Sequence, residues 1–382
     1  MSSPRRDVLL VASGAALALL PWLRVARLLR DGASALAAAA RRSTATSGKR
    51  VCVLVGPARR VEGGVRDALE ALGTEWTLVR CEDKRVDKVK DAIAGAAVAA
   101  VVVAPSCAPF FDELADASRG AGLMHLLSAG HEYVKADLVP KGAPVCNSGS
   151  MTVPIAEYCV LCALEARVRL RSLDGGMRAY PEWRPPFYEA RPAASSYLHD
   201  ELSGAQVLVI GAGCIGSAIV ARLSAFGCGV EVARSTTTSE ALDAMLERAD
   251  VIIVACALTD STRGLIDERR LALCKASASL VNVSRGPVVD ETALFDALKG
   301  RRLTHAFLDV WWKYPASPEA PSPEPGDQKW RTLERDVLTM TPHASGWTRE
   351  QDRRKSQQIA TNLDNLARGA PLERVICVGT RT

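Results

Sequence analysis

The sequence predicts an α/β protein made of two doubly wound domains with parallel sheets. Three observations carry that expectation. Gly211, Gly213 and Gly216 form the spacing G-x-G-x-x-G between a short apolar run and a helical stretch. Short runs rich in Val, Ile and Ala alternate with helix-length segments between residues 51 and 155. The same alternation resumes after residue 205 and continues to residue 340. Strands that alternate with helical segments mean crossover units, and crossover units mean a parallel sheet.

The glycine spacing organises the rest. Residues 207–210 are apolar and rich in β-branched side chains, as a strand buried on both faces is. Residues 218–223 read as helix, Gly227 and Gly229 end it, and residues 230–233 read as the next strand. Gly211 permits the tight turn, Gly213 lets backbone approach a pyrophosphate, and Gly216 allows close helix–strand packing. The helix N-terminus adds free N–H groups and the positive end of its dipole. In this context the glycines predict a dinucleotide site in a Rossmann-type domain; the same glycines at a bare turn would not.

The totals set limits. A chain of 382 residues accommodates two domains. Its net charge of +5 is mild, and no basic stripe with interleaved aromatics appears, so a nucleic-acid partner is not expected. Eleven cysteines, an odd number without paired spacing, read as reduced thiols in a reducing compartment. Cys159 and Cys162 form C-x-x-C inside the apolar helical stretch 155–165, where they read as small core residues, so no metal site is expected.

Residues 1–50 differ in kind. Arg5 and Arg6 precede an apolar run over residues 8–23; Arg24, Arg27 and Arg30 follow, then an alanine-rich stretch, and acids are scarce. That composition is expected of a targeting or anchor segment outside the fold. The run falls short of the roughly 20 residues of a spanning helix, so membrane contact is expected only through residues 8–23 if they are retained. The twin arginine before the apolar run suggests a twin-arginine signal. The expected location is the cytoplasm or an organellar matrix or stroma.

In order, residues 51–55 read as strand, 65–72 as helix, 76–80 as strand, 86–93 as helix and 98–104 as strand. The loop Ser128-Ala129-Gly130 and a short strand at 144–147 follow. Residues 155–171 read as one long helix, and 174–196, rich in Pro, Gly, Trp and Tyr, as a connection. Past the glycine turn, helices are expected at 242–249, 268–274 and 291–299, and strands at 251–255, 279–283 and 306–310. Residues 315–326 carry five prolines and read as loop, 337–340 as the final strand, and 351–368 as a terminal helix.

Further motifs follow the glycine turn. Arg285 sits in Leu-Val-Asn-Val-Ser-Arg-Gly, Asp309 in Ala-Phe-Leu-Asp-Val, and His343 in Met-Thr-Pro-His-Ala-Ser-Gly. In order and spacing these resemble the D-isomer-specific 2-hydroxyacid dehydrogenase family, strongly from about residue 122 onward, weakly over 51–121, and not at all over the first fifty residues. The resemblance implies hydride transfer between NAD(P)H and a small 2-oxo or 2-hydroxy acid. It implies Arg285 as the substrate clamp, His343 as acid/base, and the Ser128, Ala129 and Gly130 amides on the substrate carboxylate. The residue types suit the work: a guanidinium fork binds a carboxylate at two points, and imidazole titrates near neutrality. The resemblance also places cofactor contacts at Gly211, Gly213, Cys214, Ile215 and Gly216. Further cofactor contacts fall at Ala257, Thr262 and Val283, with Asp309 at the nicotinamide amide.

One position departs from the family. Five residues after Asp309, where the family usually has a glutamate paired with the histidine, stands Tyr314. Tyr314 is therefore placed in the catalytic set, and a less basic His343 is expected, because a phenol adds no charge. The formate dehydrogenases also lack that glutamate, and His343-Ala-Ser-Gly is similar to theirs, so a formate enzyme is an alternative, although Met151 and Thr152 stand where the resemblance would put an asparagine; a dinucleotide-sensing binding protein with little turnover is another. Arg234, followed by Ser235, stands where an acid would read the ribose in an NAD-specific site, and Glu231 falls inside the strand. NADP(H) is thus favoured, with NAD(H) as the other cofactor to consider. The expected domains are a flavodoxin-like substrate domain over 51–155 plus the helical end 350–382, with the dinucleotide domain over 156–349 inserted and the site in the cleft. The expected assembly is a homodimer.

Overall fold

The computed structural model describes residues 49–56, 59–81, 86–179, 199–314 and 328–381. The expectations for residues 8–23, the proline-rich loop 315–326 and most of the connection at 174–196 lie outside the described residues. Among the described residues no helix is long and apolar enough to cross a membrane. The chain forms two compact units.

Among the described residues, the first unit comprises those up to Ser128, Tyr133–Ser148 and those from Ser356 onward. Its sheet holds β1 (Arg50–Val55), β2 (Thr77–Cys81), β3 (Val98–Val103), β4 (Leu123–Leu126) and β5 (Pro144–Cys146), all parallel, in the order β5-β4-β3-β1-β2. Val53, Val101 and Val102 are fully buried, as central strands covered on both faces require. Helices α1 (Arg59–Leu72), α2 (Val86–Ile93) and α3 (Phe111–Ala117) make the crossovers.

One strand was not legible. β12 (Val375–Val378) pairs antiparallel with β5 at the sheet edge, with a register irregularity between Val375 and Cys377. The strand expected at 337–340 is therefore not the last, and the helix expected at 351–368 is not terminal. β12 is only partly covered, so it lacks the alternation that marks a half-buried strand.

The second unit comprises Ala129–Glu132 and Gly149–Lys355. Its sheet runs β11-β10-β9-β8-β6-β7, parallel throughout, from β6 (Gln206–Ile210), β7 (Gly229–Ala233), β8 (Val251–Val254), β9 (Ser279–Asn282), β10 (His305–Leu308) and β11 (Leu338–Met340). From β6 the chain goes to one side for β7 and to the other for β8. That reversal opens a crevice at the strands' carboxyl ends. The expected long helix at 155–171 is two helices, α4 (Thr152–Val168) and α5 (Leu170–Ala179), broken at Arg169, whose φ is 53°. No glycine or proline marks the break; the Arg169 N–H closes the cap onto the Glu165 carbonyl. α5 also occupies the start of the stretch expected to be irregular, with Arg178 paired to Asp174 one turn back.

The units divide at Ser148/Gly149 and Lys355/Ser356, whereas the sequence places the boundaries at 155/156 and 349/350. α4 packs as a whole on the second unit, against α6 (Cys214–Leu223), β8 and β9. Cys159 and Cys162 are buried in that packing, and all eleven cysteines are free thiols.

Candidate active site

The dinucleotide turn has the geometry its glycines require. Gly211 sits at φ 115°, and a Cβ there would fall 2.7 Å from the Ala255 carbonyl oxygen at the end of β8. A Cβ on Gly216 would run into the Gly211 carbonyl. Beside Gly213 there is open space, and the N-terminus of α6 has no side-chain cap. Uncapped helical amides facing an open glycine form a cradle that fits a pyrophosphate. Cys214 is exposed and Ile215 partly covered on the first turn of that helix.

At the end of β7, Arg234 is the first residue past the strand; its N–H bonds the Thr237 hydroxyl at 2.9 Å, and its side chain is exposed. Ser235 follows it in the same turn. Glu231 is committed to Arg248 at 2.8 Å. The loop after β8 brings two expected contacts together: the Thr262 hydroxyl donates to the Ala257 carbonyl at 2.7 Å and accepts the Thr259 N–H at 2.8 Å. Val283, buried, ends the strand path of β9.

Arg285 is placed by the turn after β9. Buried Asn282 donates to the Arg285 carbonyl at 3.1 Å and accepts the Ser284 N–H at 3.1 Å. The guanidinium meets Glu132 through two bonds, Nε to Oε1 at 2.7 Å and Nη2 to Oε2 at 3.3 Å, while Nη1 donates to the Ser284 carbonyl at 2.8 Å. Three of five N–H groups are thus used, and two remain for a ligand. Burial raises the Glu132 carboxyl's pKa, but the hydrogen bond and charge of Arg285 outweigh it and hold the group below its ordinary value. A Cβ on Gly130 would collide with this guanidinium, so a side chain there would push Arg285 out of its present position. Of the expected amide loop, Ala129 and Gly130 belong to this unit and Ser128 to the other. His131 Nδ1 lies 3.1 Å from the Ala129 carbonyl, turned onto its own loop.

His343 adopts a left-handed backbone, φ 56°, in the turn after β11. Asp309, fully buried past β10, holds that turn: its carboxylate accepts the Thr341 hydroxyl at 2.6 Å and the N–H groups of Ala344 at 2.8 Å and Ser345 at 3.0 Å. A carboxylate offers about four acceptor positions, and these three donors fill most of them. Tyr314 Oη accepts the Trp311 N–H at 3.0 Å and stands 3.0 Å from His343 Nδ1. The Trp311 N–H takes one acceptor position of the phenol oxygen, which meets Nδ1 with its proton or with its remaining lone pair, according to the tautomer. Burial, then the Arg285 charge, lowers the His343 pKa; Asp309 and Glu132 oppose them.

Sequence reasoning missed Glu132, Asn282 and Thr341. Glu132 pairs across 153 residues, which no local pattern reveals. Asn282 lies in the Val-Asn-Val-Ser-Arg string, where a buried polar residue one step before a loop was the available signal. Among the described residues no group of three His, Cys, Asp or Glu is arranged to hold a metal ion.

Comparison with known proteins agrees with this geometry. Residues 169–345 match the family model described as D-isomer specific 2-hydroxyacid dehydrogenase, NAD binding domain. The chain is 28% identical over 247 residues to a D-3-phosphoglycerate dehydrogenase of Archaeoglobus fulgidus, covering 62% of this chain and 43% of that protein. It is 32% identical over 181 residues to the mitochondrial formate dehydrogenase 2 of Oryza sativa subsp. japonica, covering 44% and 45%. It is 29% identical over 272 residues to a glyoxylate reductase of Thermofilum pendens, covering 67% and 75%. The matches thus span under half of the first two relatives. A solved D-isomer specific 2-hydroxyacid dehydrogenase from Lactobacillus delbrueckii ssp. bulgaricus, in its NAD complex, superposes with TM-score 0.66 at 21% identity, covering 85% of this chain and all of that one. Residues 169–345, with their glycine turn, Arg285, Asp309 and His343, thus match the NAD binding domain of the D-isomer specific 2-hydroxyacid dehydrogenase family.

Proposed function

We propose that the protein is an NAD(P)-dependent oxidoreductase that interconverts a small 2-oxo acid and its D-2-hydroxy acid. One observation carries the reading: a guanidinium with two uncommitted N–H groups shares an electrostatic neighbourhood with an imidazole oriented through its Nδ1 by Tyr314. When bound, the dinucleotide supplies or takes the hydride. Arg285 holds the substrate carboxylate and polarises the 2-oxo group. Protonated His343 gives its Nε2 proton to the oxygen that becomes the hydroxyl and is left neutral; in the oxidative direction it takes that proton back. Glu132 keeps the guanidinium aimed, and Asp309 keeps the imidazole in place. Arg234, past β7, supports a preference for NADP(H), since its cation suits a 2′-phosphate and Glu231 is held by Arg248.

The test is oxidation of NADH and NADPH across a panel of 2-oxo acids, followed by loss of cofactor absorbance. Turnover with at least one 2-oxo acid, and a fall in kcat/KM of roughly two to four orders of magnitude in Arg285→Ala with circular dichroism intact, supports the reading. Dinucleotide binding without turnover on any acid would favour the sensing alternative. A second reading, formate oxidation, draws on Tyr314: hydride loss from formate requires no proton transfer, so a weakly basic histidine suffices. Formate with NAD+ or NADP+ decides it. The proposal keeps a homodimer as the assembly and the cytoplasm or an organellar matrix as the location.

A further inference from the structure

At the amino-terminal end of the second unit's sheet lies a cavity of about 250 Å³, lined by Arg169, Arg171, Arg301 and Arg335 against two carboxylates, Glu165 and Asp336. His305, the first residue of β10, also lines it. The dinucleotide turn follows the carboxyl end of β6 in the same parallel sheet, so the cavity is at the other end of the strands. Four guanidinium groups against two carboxylates leave an excess of two positive charges in the lining. Glu334, outside the lining, takes one end of Arg301 at 2.6 Å.

Two of these arginines are held at a backbone setting that disfavours them. Arg169 has φ 53° and Arg301 has φ 52°, both left-handed, where glycine would be unstrained. Gly300, immediately before Arg301, has φ −82°, a setting open to any residue. The chain thus has a glycine one position away from where the backbone favours one. The pairs of Arg301 with Glu334 and Asp336 are solvent-exposed, and such pairs add little stability. They do not account for an arginine at a strained position.

The walls are also fixed in advance. Arg171 Nε donates to Glu165 at 3.2 Å, and its Nη2 donates to the Thr339 hydroxyl. That hydroxyl lies 2.8 Å from His305 Nε2, and His305 Nδ1 lies 2.8 Å from the Asp336 carbonyl. The donors run in one direction: guanidinium to hydroxyl, hydroxyl to Nε2, Nδ1–H to carbonyl. His305 is thereby a neutral floor between charged walls. Arg335 is exposed and makes no ion pair among the described residues.

We propose that this cavity is an anion site, separate from the dinucleotide turn, that takes a compact dianion bearing a phosphate or paired carboxylates. The volume lies below the roughly 300–1,000 Å³ of ordinary ligand pockets, which restricts the ligand to a small molecule. Guanidinium forks suit both oxyanion types. The proposal does not depend on the hydride chemistry.

The test is calorimetric titration of the full chain with inorganic phosphate and, separately, citrate, at constant ionic strength and with NADH and NADPH saturating so that the dinucleotide turn is filled. The variants are Arg335→Gln and Arg301→Gly; glycine fits the backbone at 301, so that variant folds at least as well. Expected is saturable binding to the wild-type chain and a tenfold or greater loss of affinity in each variant. Tighter phosphate binding identifies a phosphate ester as the natural class, and tighter citrate binding a polycarboxylate. Absence of saturable binding to the wild type, or equal affinity in wild type and both variants, overturns the proposal.

Discussion

The hydroxyl of Tyr314 stands 3.0 Å from Nδ1 of His343, and its oxygen accepts the Trp311 N–H at 3.0 Å. A phenol in this place can donate to Nδ1 or accept from it, so it orients the ring in both protonation states. It adds no charge to hold the imidazolium, and burial with Arg285 lowers the His343 pKa. Reduction of a 2-oxo acid uses the protonated ring, so its rate falls as pH rises through that pKa. Tyr314→Glu supplies the missing charge and shifts the alkaline limb of kcat/KM upward by roughly one unit or more. Tyr314→Phe leaves the limb nearly unmoved. An unshifted limb in the glutamate variant would identify another group as the proton donor.

Asp309 sets the turn that carries His343. Asn in its place keeps one acceptor oxygen but turns an amide N–H toward groups that are themselves donors. Asp309→Asn is expected to cost roughly 3 kcal/mol in urea unfolding, because a fully buried cluster loses its charged acceptor. Thr341→Val removes one of the three bonds and costs about 1 kcal/mol. Equal stabilities in the two variants would show that the carboxylate is not what holds the turn.

Arg234→Asp exchanges the cation at the ribose-reading position for an acceptor. The ratio of NADPH to NADH affinity, above one in the proposed enzyme, should fall by roughly tenfold or more. Fluorescence titration with both cofactors measures it. A wild-type chain that binds NADH more tightly, with a ratio indifferent to the substitution, would assign ribose reading elsewhere.

His125 predicts acid sensitivity in the first unit. It is fully buried on β4, with Nε2 unpartnered among the described residues, and burial lowers its pKa from 6.5 to about 4. The unfolded chain therefore takes up the proton first as pH falls. Stability from this group is complete above about pH 6.5, declines as pH drops, and is lost by about pH 4, a change of about 3 kcal/mol. His125→Phe should flatten that slope when unfolding is followed at several pH values in the window. An unchanged slope would assign the acid sensitivity to other groups.

Much of this architecture is legible because parallel strands buried on both faces leave continuous apolar runs. β1, β3 and β8 were visible for that reason, and α2 was visible to its ends. The dinucleotide turn was legible because steric necessity forces glycine at 211 and 216. β12 was not, since Val375–Val378 is an apolar run of only four residues, too short to mark a strand by periodicity. The break at Arg169 was not, because the residue that adopts the left-handed setting is one that normally avoids it. In the site, Arg285, Asp309 and His343 are marked by their strings, and Tyr314 by what it replaces. Glu132 carries no local mark; its importance is written only in the fold that brings it to Arg285.

Of the chain's eleven thiols only Cys214 is exposed, and it is the first residue of the helix that faces the pyrophosphate cradle. Burial pushes the Cys52, Cys146 and Cys162 thiols up to about 12, which leaves them little thiolate at neutral pH. Brief treatment with a maleimide should therefore label Cys214 ahead of the partly covered Cys228, Cys256 and Cys377, and a dinucleotide lying across the helix start should slow that labelling. The protein thus carries a built-in occupancy gauge: mass spectrometry of the labelled fraction reads how full the cofactor seat is, without any turnover.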